Sequence, residues 1–204
     1  MILALDTSAA VAVSVLDGDD VRASRTAHAP RGHAELLAGL IQEAMEEAGC
    51  DRSAVERIVV GTGPAPFTGL RVGLVTARTL GFAWGVPVHG TCSLDAVGAA
   101  LADEGEVTVV SDARRKELYW AAYRDGVRVS GPDVAYPSDV PIAGVVAGPG
   151  AALYAEALPD GTVVDIDPAW LARVVARRLE AGETDLPTEP MYLRRPDVHG
   201  VPGA

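Results

Sequence analysis

The sequence predicts an α/β fold of two lobes, each opening with a three-stranded βββ unit followed by helices, and three observations predict it. Apolar runs of strand length that end in an aspartate occur twice, at Met1–Asp6 and Val107–Asp112, and two further strand-like runs follow each. The 204 residues are 49% hydrophobic and 22% charged, so a core can form without disulfide or metal staples. Glycine and proline sum to 36 (22 + 14) of 204 residues, above the combined average of roughly 12%, which favours short elements and tight turns over long coiled coils.

The elements follow in order. Met1–Asp6, Val11–Leu16 and Val21–Ala27 alternate or cluster apolar residues and are separated by Ser8-Ala9-Ala10 and Asp17-Gly18-Asp19-Asp20, which reads as a meander. From His33 to Ala48 apolar residues fall at 36, 37, 40, 41, 44, 45 and 48, a helical stripe, and Gly49 stands at the stop position. Arg57–Gly61 reads as a strand, Gly69–Trp84 as a second helix, Val86–His89 as a strand and Ser93–Ala102 as a helix. The second cycle places strands at Val107–Asp112, Glu117–Tyr123 and Val127–Ser130. It continues with a strand at Gly144–Gly148, a short helix at Ala151–Leu158, a strand at Val163–Ile166 and an amphipathic helix at Ala169–Ala181. Asp103-Glu104-Gly105-Glu106 marks the lobe boundary, giving residues 1–104 and a smaller lobe 105–204 whose end, Gly200 to Ala204, is expected to fray.

The charge balance of 17 basic and 28 acidic residues, net −11, opposes an ordinary basic nucleic-acid reader. Two cysteines, Cys50 and Cys92, cannot build a metal cage alone, and they read as reduced, inert thiols. No signal-like segment opens the chain and no apolar run approaches the ~18 residues of a membrane span, so a cytoplasmic location without membrane contact is expected.

The most unusual stretch is Gly61-Thr62-Gly63-Pro64-Ala65-Pro66-Phe67-Thr68-Gly69-Leu70-Arg71-Val72-Gly73, set between a strand and a helix. Its glycine spacing is not that of a P-loop, no Lys-Ser/Thr follows, and two prolines remove amide donors. It reads chiefly as a rigid loop presenting a helix, with a phosphate cradle as the competing reading. His28 and His33 flank Pro30 and Gly32 and cannot share a helix face as metal ligands, so no metal site is expected. Ser8, Ser14 and Ser111 lack a nucleophile elbow, which disfavours a peptidase. Arg114, Arg115 and Lys116 form the one dense basic cluster, readable as a charged turn or as a contact to phosphates. Asp6 and Asp112, ending equivalent strands, are expected to converge on the cleft between lobes, where carboxylates could hold a hydrated metal.

Five motifs in order give a more specific reading. Ile2-Leu3-Ala4-Leu5-Asp6-Thr7-Ser8, Arg31-Gly32-His33-Ala34-Glu35-Leu36-Leu37, the segment from Gly63-Pro64 through Phe67-Thr68-Gly69-Leu70-Arg71-Val72-Gly73, Asp112-Ala113-Arg114-Arg115 with Tyr119-Trp120, and Pro190-Met191-Tyr192-Leu193-Arg194 resemble the TsaB (YeaZ) family over nearly the whole chain. The resemblance implies an ASKHA (actin/hexokinase/Hsp70-like) fold. It also implies a non-catalytic scaffold role in making N6-threonylcarbamoyladenosine beside the tRNA anticodon. The implied partners are a TsaD-type catalytic subunit, a TsaE-type ATPase and, for the chain alone, a second copy, with tRNA engaged only through the complex.

The resemblance further implies a partner face on the first two helices, comprising His33, Leu36, Leu37, Leu40, Ile41, Leu70, Arg71, Val72, Val75 and Thr79. It implies no cofactor of the chain's own and no intrinsic activity, with magnesium ATP at a partner boundary left open. A vestigial nucleotide cleft would comprise Asp6, Thr7, Ser8, Asp112 and Arg114. Thr7-Ser8 and Ala113-Arg114 stand where glycine-bearing turns would let backbone approach a phosphate. The alternative reading is an active magnesium ATPase or phosphotransferase of ASKHA type that uses Asp6 and Asp112.

Overall fold

A computed structural model of the chain describes residues 1–28 and 33–194. Strand β1 (Ile2–Asp6) is apolar along its length because both of its faces are covered. Leu3 and Leu5 point into one hydrophobic cluster, Ile2 and Ala4 into another. β1 pairs antiparallel with β2 (Val11–Asp17) and parallel with β4 (Arg57–Gly61). With β3 (Asp20–Ala27) and β5 (Val88–Thr91) they form a five-stranded sheet ordered β3-β2-β1-β4-β5.

The second sheet repeats the plan in the order β8-β7-β6-β9. Here β6 (Glu106–Asp112) pairs antiparallel with β7 (Leu118–Arg124) and parallel with β9 (Val145–Ala147), while β8 (Val127–Ala135) extends the meander. A meander whose first strand takes a later strand as parallel neighbour, twice over, is the expected ASKHA arrangement. The hairpins are set by their loops. Arg124 pairs with Val127 across Asp125 (φ 50°) and Gly126 (φ 76°), the two positive dihedrals of a type I′ turn, and Gly18 (φ 60°) serves between β2 and β3.

Helices α1 (His33–Glu47) and α2 (Phe67–Trp84) cover the outer face of the first sheet. Helices α3 (Leu94–Ala100) and α4 (Pro168–Glu180) lie inside, sharing a cluster that draws on both sheets. Their placement crosses over: α3 packs on β6, β7 and β8, whereas α4 packs on β1, β2, β4 and β5. The strands of the two sheets are thus separate in sequence, while the helices that cover them are exchanged. α4 starts sharply, with Asp167 Oδ1 accepting from the Ala169 N–H at 2.9 Å and Pro168 in the first turn. Asp167 Oδ1 also accepts from Ser14 Oγ at 3.1 Å, tying that cap to β2.

Three expected elements are corrected. Ala151–Leu158 is a run of turns, bounded by Gly148, Pro149 and Gly150 on one side and Pro159, Asp160 (φ 63°) and Gly161 on the other. The flanking glycines and prolines favour turns, and the segment lays Ala151 and Leu158 over the second sheet's outer face. Val163–Ile166 forms no strand; a single bridge from Ala147 to Thr162 extends the short β9, and Ile166 drops into the interior cluster. β5 begins at Val88 rather than Val86, because the Val86 N–H still closes α2 by donating to Gly81 O after Gly85 (φ 70°). The expected fraying at Gly200 to Ala204 lies outside the described residues.

Candidate functional site

The strand end that opens the chain is a buried clasp. Asp6 Oδ1 accepts from the Ser8 N–H at 2.7 Å and from Ser8 Oγ at 2.6 Å, and its Oδ2 accepts from Ser93 Oγ at 2.5 Å. Ser93 Oγ in turn accepts from the Gly63 N–H at 3.1 Å, while Gly63 O accepts from the Ser93 N–H at 2.7 Å. Burial raises the Asp6 carboxyl above its ordinary value of 3.8, and the serine hydrogen bonds oppose that rise only in part. Thr7 Oγ1 donates to Gly69 O at 2.9 Å and accepts from the Gly73 N–H at 3.1 Å, so one hydroxyl bridges a carbonyl and an amide four residues apart in α2.

Glycine is required for this approach. A Cβ on Gly73 would stand 2.5 Å from Thr7 Oγ1, and one on Gly61 would stand 1.8 Å from Asp6 Oδ2. The segment from Gly61 to Gly73 thus docks α2 on the end of β1, in keeping with its reading as a rigid loop that presents a helix.

The equivalent turn of the second lobe is built from the same first step and then diverges. Asp112 Oδ1 accepts from the Arg114 N–H at 2.7 Å, as Asp6 does from Ser8, and Asp112 Oδ2 pairs with Arg114 Nη1 at 3.1 Å. Arg114, Arg115 and Lys116 then all take positive φ (63°, 54°, 64°), a left-handed turn closed by the Glu117 N–H donating to Arg114 O. Each such residue costs about 1–2 kcal/mol relative to right-handed geometry. Asp112 is partly exposed whereas Asp6, Thr7 and Ser8 are buried, so the residues expected to converge are engaged in separate local networks.

The outer face of α2 carries Phe67, Arg71, Val75, Arg78, Thr79 and Phe82, all exposed and all within one sector of the helix. Phe82 is 93% exposed and Val75 61%, which is unusual for large apolar side chains. A C-terminal strap crosses beside them. Leu186 O accepts from the Gly90 N–H, Arg78 donates to Thr188 Oγ1 and O at 2.7 Å, and the Met191 N–H donates to Thr62 O at 2.8 Å. Tyr192 stacks on Phe67 with centroids 5.1 Å apart, accepts from Arg71 Nε at 2.8 Å, and the Arg71 guanidinium lies 3.7 Å over the Phe67 ring. Arg194 then pairs with Glu117, next to the left-handed turn.

The residues expected at the partner face differ in burial. Leu37, Ile41 and Leu70 point into the first sheet's own cluster, because their helical positions coincide with the stripe each helix needs for docking. Leu36, Leu40 and Val72 are half-buried at the margin of that cluster. Arg71, Val75 and Thr79 lie outside, and the side chain of His33 is outside the described residues. Phe67 and Phe82 complete the exposed sector and were absent from the expected set; their spacing from Val75, eight and seven residues, is the signal that finds them.

A family model described as TsaD, tRNA N6-adenosine threonylcarbamoyltransferase, matches residues 25–151. Two solved structures from Pseudomonas aeruginosa superpose on the whole fold. One is described as an uncharacterized protein with similarity to peptidase YEAZ (TM-score 0.82, 28% identity, 95% of this chain and 99% of that one), the other as YeaZ (0.80, 27%, 94% and 99%). The chain belongs to the TsaB (YeaZ) family. Among relatives, an uncharacterized protein of Mycobacterium leprae is 41% identical over 98% of this chain, which spans 56% of that protein's length. The tRNA threonylcarbamoyladenosine biosynthesis protein TsaB of Escherichia coli is 29% identical over 60% of this chain, and the alignment spans 54% of its length.

An ASKHA fold raises the question of a magnesium nucleotide between the strand ends, and in this TsaB-family chain the residues present do not fit one there. The Asp6 carboxylate is buried with both oxygens hydrogen-bonded, by Ser8 and by Ser93, and Thr7 is buried in its bonds to α2, so a hydrated ion or a phosphate has no open approach to either. Among the described residues no group of three or more His, Cys, Asp or Glu side chains could hold a metal, and no helix is long and apolar enough to cross a membrane.

Proposed function

We propose that this chain is a non-catalytic, activating subunit in tRNA N6-threonylcarbamoyladenosine biosynthesis, one that binds a TsaD-type transferase through the outer sector of α2 and the adjoining side of α1. The observation that carries the reading is the exposed apolar sector of α2, where Phe82 and Val75 stand in solvent while Leu70, Leu74 and Ala77 are buried against the first sheet. Family membership supports the pathway. The closed Asp6-Thr7-Ser8 clasp supports a docking role over magnesium-dependent phosphoryl transfer. The same sector would join two copies when the transferase is absent, and a TsaE-type ATPase and tRNA would be met within the complex, in the cytoplasm.

The face is completed by Phe67, Arg71 and Thr79, with Arg71 held flat by Phe67 and Tyr192 so that little side-chain entropy is lost on binding. The test is a titration of the tagged chain with its TsaD-type partner. Phe82→Glu and Val75→Glu should each weaken binding at least tenfold while leaving thermal unfolding unchanged. Wild-type affinity in both variants would overturn the assignment of this face, and ATP hydrolysis by the purified chain that Asp112→Asn abolishes would overturn the non-catalytic role.

A further inference from the structure

A cleft of about 500 Å³ opens between the β7–β8 hairpin, the first turn of α3 and the last turn of α4. Its position follows from register: Tyr123 pairs with Val107 at the start of β6, and Gly126 and Val127 form the hairpin beyond it, whereas Asp112 ends that strand. The β7–β8 hairpin supplies Tyr123, Val127 and Arg128, α3 supplies Asp95, and the last turn of α4 supplies Arg177 and Arg178.

The floor of the cleft is a polar network at the junction of both sheets. Buried Asp95 accepts from Tyr123 Oη at 2.8 Å and Thr91 Oγ1 at 3.1 Å, and lies 3.5 Å from Arg128 Nη1. Arg178 is held by Glu183 at 2.7 Å. Three guanidinium groups therefore face two carboxylates, a local balance of 3 − 2 = +1 in a chain of net −11. The Arg177 side chain has no ion pair or hydrogen bond among the described residues, and Arg178 retains donors beyond those that meet Glu183 and Thr91 Oγ1, as Arg128 does beyond Asp95. Val174 and Ala181 line the wall, and Val127, 63% exposed, stands at the mouth.

From this arrangement we propose that the cleft binds a small phosphate monoester with a flat apolar body. Its phosphate would be held by Arg177 with the spare donors of Arg128 and Arg178, and its body would lie against Val127 and Val174. The volume is in the range of small-molecule sites. Phosphate is favoured over carboxylate because a guanidinium trio offers more donors than two oxygens accept, and planar forks match its oxygens in pairs. The two carboxylates in the cleft repel an unscreened anion, so Arg177, the uncompensated charge, controls affinity. The inference is independent of the partner face on α2.

The test uses the full chain and three probes followed by calorimetric titration: phenyl phosphate, inorganic phosphate and benzoate. The expected result is saturable binding of phenyl phosphate, at least tenfold tighter than the other two, and at least tenfold weaker in Arg177→Glu with unchanged thermal unfolding. Arg177→Lys should recover part of the affinity, since charge without the fork remains. Absence of saturable binding would overturn the proposal, as would wild-type affinity in Arg177→Glu. Loss of binding in Arg114→Ala but not in Arg177→Glu would assign the phosphate to the left-handed basic turn and likewise overturn it.

Discussion

Replacing Gly61 by alanine should be among the most damaging single-methyl changes available in this chain. The added Cβ would lie 1.8 Å from Asp6 Oδ2 and 2.5 Å from Ser93 Oγ, and both atoms belong to buried, tightly tied groups rather than to the free end of a side chain. Relief requires the carboxylate to move by more than about an ångström, which stretches the 2.5 Å Ser93–Asp6 bond past hydrogen-bonding range. Loss of a hydrogen bond to a charged group costs about 1.5–3 kcal/mol, and overpacking adds about 1–3 kcal/mol. A loss of roughly 3–5 kcal/mol is expected, a large part of a domain's total stability. Urea denaturation at neutral pH reads it as a lowered midpoint with an unchanged slope. Gly39→Ala is the control: its Cβ would meet nothing within 4 Å in an exposed stretch of α1, and it should stabilise by about 0.5–1 kcal/mol. If Gly61→Ala were as benign as Gly39→Ala, the clasp would not be the constraint described.

Three further outcomes follow from the same geometry. Since the Asp6 carboxyl is raised in the folded state, the folded chain binds that proton more tightly than the unfolded one. Its contribution to stability should fall as pH rises from 3.8 through the raised folded value and then level off, and denaturation of Asp6→Asn across that window should lack this decline. Lys116→Gly removes a Cβ from a residue at φ 64° and should stabilise by about 1 kcal/mol, measured by thermal unfolding; destabilisation would show that the turn is not strained. The Cys92 thiol, buried and pushed up to about 12 by desolvation with Asp95 nearby, should resist iodoacetamide at pH 8 until the chain unfolds, as mass spectrometry of the native and denatured protein would report.

Most elements were legible because their signals are local. The repeated strand-to-aspartate runs located β1 and β6, the stripe from Leu36 to Ala48 located α1, and the family motifs selected the arrangement of the two sheets. Ala151–Leu158 and Val163–Ile166 misled because apolar content alone does not distinguish a helix or strand from a covering loop fixed by flanking glycine and proline. At the candidate site the apolar stripes of α1 and α2 were visible, but not which side of each meets the sheet. Leu70 is chemically indistinguishable from Val75 until the docking of Gly73 against Thr7 sets the rotation of α2. The strap was visible as a motif, yet the stacking of Tyr192 on Phe67 joins residues 125 apart in sequence, beyond any periodicity.

The exchange of the interior helices has a consequence for how the molecule comes into being. During synthesis the first sheet is complete once β5 has emerged, yet the face that α4 covers stays bare until residues 168–180 arrive. α3, already made, has no surface of its own to rest on until β6 to β8 form. Each half thus carries the helix that the other half's sheet needs, so neither half is a unit of folding, and a nascent chain halted near residue 104 would expose the apolar undersides of β1 and β4 to any binder at hand.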